Sequence, residues 1–172
     1  SKSWSQEAVF ASLKTGFYPL ESEEIFNLEN YCIKWGIKGK KWYEKDWDFG
    51  EESEKKEYWN TLRRKIVEPL IAFKSELNRA KTVREITVKL YEFLKENEIE
   101  KKLNEKIFQI HQQGQIELAN EYVASMHILV QVLDNMVALL GEEQVSFEKY
   151  YHLLKIGCTG DVLGSIPATL DQ

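Results

Sequence analysis

Apolar residues recur every three or four positions along almost all of this 172-residue chain. The clearest stretch extends from Ile116 to Leu140, and another extends from Trp59 to Leu77. This spacing matches the period of an α-helix, and no alternating strand pattern precedes Gly157. Only three prolines are present, which leaves room for long helices. The pattern predicts an all-α fold, an irregular bundle of about seven helices.

Capping residues and glycines indicate where these helices begin and end. Thr82 and Glu85, for example, match the T-x-x-E capping box. Pro69 is expected to kink the third helix or split it near Val67, because proline has no N–H to donate. The predicted helices cover residues 5–14, 22–36, 53–77, 82–94, 98–112, 115–140 and 146–157. The residues of the sixth helix expected to face the core are Ile116, Ala119, Val123, Met126, Val130, Leu133, Val137 and Leu140.

The last residues, 159–172, differ from the rest of the chain. Gly160, Gly164 and Pro167 interrupt helical structure there, and the apolar residues between them favour extended backbone. The chain contains no other strand pattern with which this segment could pair. We therefore expect an extended tail from a polypeptide that continues further.

The formal net charge is −5. Proteins that bind nucleic acid tightly on their own are usually basic, because neutralisation of phosphates drives their affinity. The charge argues against an autonomous DNA-binding domain and is compatible with a local basic patch.

Targeting and cysteine signals are sparse. The two cysteines, Cys32 and Cys158, are too few for a disulfide scaffold or a zinc framework. The N-terminus lacks the charged start and apolar run of a signal peptide, and it also lacks an initiator Met. Polar residues such as His127 and Asp134 interrupt the most apolar stretch, so no membrane span is predicted. We expect a cytoplasmic protein.

Five segments, in order, resemble one protein family. Residues 8–16 (AVFASLKTG) are similar to the V-F-x-x-L-K-T-G segment of AddB-type subunits of bacterial ATP-dependent helicase/deoxyribonucleases. Residues 29–42 (ENYCIKWGIKGKKW) resemble their E-N-Y-x-x-x-x-G-I-x-G-x-x-W. The other three matches are 64–70 (RKIVEPL), 81–85 (KTVRE) and 164–172 (GSIPATLDQ). Residues 95–145 match in helical character alone.

The resemblance implies that the chain is an internal fragment of an AddB-type protein. By this resemblance, residues 1–158 form a helical accessory (2B-like) insertion domain, and residues 159–172 lead into a strand of the helicase-like core. The parent protein would form a heterodimer with a helicase/nuclease partner of the AddA type. That heterodimer would act on DNA double-strand breaks, as a helicase and exonuclease in recombinational repair. It would use ATP, Mg²⁺ and a 4Fe–4S cluster, whose sites would lie outside this chain. The sequence agrees, because it contains no G-x-x-x-x-G-K-[ST] phosphate loop.

The region between the second and third helices contains the candidate DNA contacts, Lys38, Lys40, Lys41 and Trp42. Positive charge interleaved with aromatic rings suits phosphate contact and base stacking. The alternative is that Trp42 and Trp47 pack on the core while the lysines are solvated and nearby carboxylates dilute their charge. Another basic run, Arg63 to Lys65, is expected to be a solvated helix face, because three consecutive residues spread around a helix.

No catalytic or metal-binding residues are predicted. His111, His127 and His152 do not have metal-ligand spacing, and neither cysteine has a basic neighbourhood that would activate it. We therefore expect that the chain alone neither hydrolyses ATP nor cleaves DNA. We also expect the chain alone to be a monomer. The competing hypotheses are a free-standing helical interaction adaptor without a DNA role and a small helical enzyme. The second of these is the weaker.

Overall fold

Seven α-helices and one short 3-10 turn form the described part of the chain. The computed structural model describes residues 4–50 and 52–160. The helices are α1 (Gln6–Leu13), α2 (Ser22–Trp35), α3 (Ser53–Arg79), α4 (Val83–Glu96), α5 (Ile99–Gln112), α6 (Ile116–Leu140) and α7 (Phe147–Cys158), and the 3-10 turn is Gly39–Trp42. Within these residues no strand forms, and β-type pairing is confined to one isolated bridge between Thr82 and Gln144. The predicted all-α fold is confirmed.

The helix starts follow the local chemistry of their caps. The Ser5 hydroxyl accepts the Ala8 N–H at 3.2 Å, and Thr82 and Glu85 form the predicted capping box. For α2 the N-cap is Glu21, one residue before the expected Ser22, and its own N–H donates to the Glu24 carboxylate at 2.8 Å. Such caps satisfy N–H groups that have no partner inside the helix.

Pro69 does not split α3, which continues from Ser53 to Arg79. Proline removes one backbone donor, and the carbonyl that loses its partner belongs to Lys65. Leu62 and Ile66, just before the proline, are almost fully buried and hold the helix against its neighbours. Packing therefore outweighs the local tendency of proline to end the helix.

Two compact units divide the chain, one up to Ala72 and one from Phe73 onward. The first has a core rich in aromatic residues, supplied by α1, α2, the 3-10 turn and the first part of α3. The second has a core of Leu77, Val83, Ile86, Val132, Met136 and Tyr150. The predicted boundary between 158 and 159 stays a prediction, and residues 161–172 of the predicted tail lie outside the described residues.

In the second unit, the connection between α6 and α7 is hydrogen-bonded to the start of α4. The N–H groups of Val83 and Arg84 donate to the carbonyls of Glu143 and Gly141, at 3.0 and 2.9 Å. Gly157 was expected to end α7 but lies within it, where a Cβ would come within 2.5 Å of Val132 Cγ1. The absence of a side chain at Gly157 thus lets α7 approach α6 closely.

The expected inward stripe of α6 is only partly buried. Ala119 is buried, whereas Ile116, Val123 and Val130 are 52%, 37% and 56% exposed, so the prediction for these three residues was wrong. Helix α6 packs against α4, α5 and α7, and these neighbours leave part of its apolar surface uncovered. By length and composition alone, α6 is long and apolar enough to cross a membrane, since an 18-residue window within it has a mean hydropathy of 1.6, and one such helix is weak evidence.

Replacing Thr82 with Ala should lower the free energy of unfolding by about 1 kcal/mol, because the Glu85 N–H loses its side-chain acceptor. Urea unfolding followed by circular dichroism measures this change. Ser75→Ala, at an exposed position inside α3, is the control and should change stability by less than about 0.5 kcal/mol. Equal stability of the two variants would contradict the capping role.

Candidate nucleic-acid interface

The candidate DNA contacts lie in the segment between α2 and α3, residues 36–52, here called the basic loop. The side chain of Asn60 on α3 attaches this loop to the helix, because its amide pairs with backbone groups of the loop. Its Oδ1 accepts the Trp47 N–H at 2.8 Å, and its Nδ2 donates to the Trp47 carbonyl at 2.9 Å. Asn60 is itself buried, so these bonds satisfy polar groups that water does not reach.

Arg63, one turn further along α3, completes the attachment. Its Nη1 donates to the Trp42 carbonyl at 3.0 Å, its Nε donates to Asn60 Oδ1 at 3.2 Å, and its Nη2 pairs with Asp46. Arg63 is only 7% exposed, so the expected solvated face was wrong at this position. Burial of a guanidinium is tolerated here because its donors meet a carbonyl, an amide oxygen and a carboxylate.

Trp42 lies in the core of the first unit and is 0% exposed. Its ring centroid lies 5.2 Å from that of Trp47 and 6.0 Å from that of Phe10. A ring enclosed in this way cannot stack on a nucleic-acid base without local unfolding. The alternative interpretation, in which Trp42 and Trp47 pack on the core, therefore describes the structure, and the stacking role expected for Trp42 is not available in this conformation.

Lys41 has a structural position as well. Its ammonium donates to the carbonyls of Gly36 and Trp35, at 3.1 and 3.4 Å, where α2 ends. It also lies 5.6 Å from the centre of the Phe49 ring. A cation at a helix C-terminus satisfies free carbonyls and interacts favourably with the helix dipole. Lys41 therefore closes the end of α2, although its side chain remains exposed.

Lys38 and Lys40 are both exposed on the basic loop. Two of the carboxylates that could offset their charge are already paired: Asp46 with Arg63, and Asp48 with Lys56. The hydrogen bond from Lys56, together with its charge, lowers the pKa of Asp48. Of the four predicted contact residues, Lys38, Lys40 and Lys41 are thus exposed, and the Lys41 ammonium already binds carbonyls at the end of α2. The role of these residues in DNA binding stays a prediction.

Sequence reasoning missed Asn60 and Arg63 as the residues that hold the loop. A signal was present, since both lie next to Leu62 and Trp59 on the apolar stripe of α3. Polar residues at such positions are buried only when they have partners. Those partners are mainly backbone groups of the basic loop. Every residue has such groups, so the sequence does not show which of them a side chain will contact.

The two cysteines have different environments. Cys32 is buried in the first unit, and burial, reinforced by the nearby charge of Glu29, raises the pKa of its thiol. Cys158 is exposed at the end of α7. Among the residues that the structure describes, no group of three or more His, Cys, Asp or Glu side chains is placed to hold a metal ion.

Comparison with known proteins gives relatives that are named B subunits of ATP-dependent helicase/deoxyribonucleases. No family model matches the sequence. The B subunit from a Thermoanaerobacter species is 40% identical over 183 aligned positions that cover 99% of this chain. The B subunits from Clostridium acetobutylicum and Clostridioides difficile are 36% and 33% identical over 99% and 100% of it. The chain spans 16% of the length of each of these relatives.

Trp42→Ala should lower the free energy of unfolding by about 3–5 kcal/mol, because it empties a large buried volume between Phe10 and Trp47. Chemical denaturation monitored by circular dichroism measures this change. Lys40→Ala, two residues away and exposed, is the matched control and should change stability by less than about 0.5 kcal/mol. A Trp42→Ala chain as stable as this control would show that Trp42 is not a core residue.

A thiol reagent such as Ellman's should modify Cys158 in the folded chain and leave Cys32 unmodified, because the Cys32 thiol is buried and its pKa is raised. Absorbance at neutral pH counts the reactive thiols before and after addition of guanidinium. Cys158→Ser should abolish the reaction in the native state. Rapid labelling of Cys32 in that variant would contradict the packing of the first unit.

Proposed function

This chain belongs to the family of B subunits of ATP-dependent helicase/deoxyribonucleases, and on that premise we propose that it is a non-catalytic helical accessory domain of such a protein. The observation that carries the proposal is the match to those B subunits along 99–100% of the chain. The parent protein would pair with an AddA-type helicase/nuclease and process DNA double-strand breaks for recombinational repair in the cytoplasm. The all-helical fold is compatible with an accessory insertion of this kind.

The proposal assigns the chemistry of the complete enzyme to parts of the parent protein outside this chain. A 4Fe–4S cluster needs four ligands, usually cysteine thiolates, whereas this chain has two cysteines, one of them buried in a core. Its residues therefore do not fit that cluster. ATP with Mg²⁺ would likewise bind elsewhere, because the sequence has no phosphate loop.

Within this accessory domain, we propose that Lys38 and Lys40 contact the DNA backbone. Their side chains are exposed, whereas the Lys41 ammonium binds the end of α2 and the Trp42 ring lies in the core. Two contacts of this kind position a duplex without reading its sequence. Lys41 and Trp42 would serve the same contact indirectly, since they hold the basic loop in shape.

A protein-contact role has support from a different surface. Val123 and Val130 lie seven residues apart on one face of α6 and are 37% and 56% exposed, and exposed apolar surface shared by neighbouring side chains is common where proteins meet. The adaptor hypothesis accounts for this surface. The relatives, about six times longer than the chain, instead favour contact within a large protein, so the adaptor remains the second candidate.

In the complete parent protein, Lys38→Ala with Lys40→Ala should weaken DNA binding equally for all sequences. It should also flatten the slope of log K against log salt by about 1.8 units for duplex DNA, since two phosphate contacts are lost. Fluorescence anisotropy with a labelled duplex over a range of salt concentrations measures both quantities. The matched control is Lys65→Ala with Lys74→Ala, which removes the same charge from α3 at positions outside the basic loop. Identical slopes for the two double variants would contradict the proposed contact.

A further inference from the structure

Tyr43 directly follows the 3-10 turn of the basic loop and keeps part of its ring on the surface. It is 41% exposed, whereas its neighbour Trp42 is buried. The Tyr43 N–H donates to the Lys40 carbonyl at 3.1 Å, which closes the turn. Side chains three positions apart in a 3-10 turn project from the same side, so Lys40 and Tyr43 are neighbours on the surface. An exposed aromatic ring therefore lies beside a positive charge.

Trp4 holds the Tyr43 ring in place. The ring centroids of Trp4 and Tyr43 lie 5.6 Å apart with their planes tilted by 53°, and the Trp4 ring lies 6.4 Å from that of the buried Trp42. The Trp4 carbonyl also accepts the Gly39 N–H at 2.8 Å, so Trp4 is bonded to the beginning of the same turn. A supported tyrosine ring of this kind loses little side-chain entropy when a flat ligand packs on its exposed part.

The charges next to Tyr43 in the basic loop are mostly positive. Residues 38–45 contain four lysines and one carboxylate, that of Glu44. The carboxylates that follow, Asp46 and Asp48, are paired with cations of α3. The exposed lysines that form no ion pair with another residue in the described part of the chain are Lys38, Lys40 and Lys45. Positive charge around the ring is therefore available to an anionic ligand.

A nucleotide of a single strand offers the two groups that this arrangement can bind, a flat base and a phosphate on each side of it. Aromatic side chains stack on the bases of single strands while basic side chains follow the backbone. In a duplex, the neighbouring base pairs cover the faces of each base. Lysine contacts with phosphates are possible in both forms of DNA, so the exposed ring is the feature that separates them.

We propose that Tyr43 stacks on an unpaired base, so that the basic loop binds single-stranded DNA in preference to duplex DNA. This inference rests on the proposed DNA contact of Lys38 and Lys40, and it adds the form of DNA that the loop prefers. The lysines contact the phosphates on either side of the stacked base. Trp42, in the core, supports Trp4, against which the Tyr43 ring packs.

Fluorescence anisotropy with the 172-residue chain and labelled oligothymidylate tests the proposal. Low salt is used, because phosphate contacts are strongest there. Tyr43→Ala should weaken binding about tenfold, as the loss of one base-stacking contact does. Tyr43→Phe keeps the ring and should retain the affinity. A strand of equal length made of abasic sites keeps the phosphates without the bases, and Tyr43→Ala should bind it as the original chain does.

Tyr58→Ala is the matched control and should leave the affinity for oligothymidylate unchanged. Tyr58 is 43% exposed, and it lines an open groove whose lining residues come from α2 and α3. The abasic strand also serves as a control for folding. A misfolded Tyr43→Ala chain would lose affinity for both strands, whereas a chain that has lost only the stacking contact loses affinity for oligothymidylate alone.

Three results would each overturn the proposal: no binding of oligothymidylate, equal binding by Tyr43→Ala and the original chain, or an equal loss on the abasic strand by a Tyr43→Ala chain whose thermal unfolding is unchanged. Lys38→Ala with Lys40→Ala separates this inference from the proposed function. Weaker binding of both strands by this double variant, with full binding by Tyr43→Ala, would leave the lysine contact in place and reject the stacking. Unchanged binding by all the variants would reject both.

Discussion

The attachment of the basic loop by Asn60 and Arg63 is the interaction on which the first unit depends. The 3-10 turn satisfies some backbone groups of this loop, since the N–H groups of Tyr43 and Glu44 donate to the Lys40 carbonyl. Burying the backbone groups of Trp42 and Trp47 without partners would be costly. Asn60 satisfies both backbone groups of Trp47, and Arg63 satisfies the Trp42 carbonyl. The two tryptophans can then enter the core. Because the two tryptophans fill this part of the core, the neighbouring lysines lie on the surface.

This constraint separates the two surfaces of the first unit. Lys38 and Lys40 lie on the surface because Trp42, which follows them closely in the sequence, is buried. The groove between α2 and α3 has a different origin, since its floor is a stack of rings supplied by the helices themselves. One surface therefore carries positive charge, and the other carries exposed aromatic area. The proposed DNA contact uses the first of these properties.

The candidate site could be predicted only in part. Composition located the basic loop, because lysines are concentrated there in a chain of net charge −5. Composition does not show that the Lys41 ammonium binds the end of α2 or that Trp42 is enclosed by other rings. Charge and aromaticity are properties of a residue type, whereas exposure depends on what else fills the space. Arg63 shows the same limit, because its partners are far away in the sequence.

By itself, the sequence determined the all-α class, the caps that begin α1 and α4, and the family resemblance. These depend on residues a few positions apart, whose interactions form within one helical turn. The tertiary structure alone decided that α3 continues through Pro69 and that α6 leaves Val130 exposed. The spacing of apolar residues predicts the helix α6. Which side of α6 is buried depends on the helices that pack against it. Such choices depend on contacts between distant segments, which local patterns do not contain.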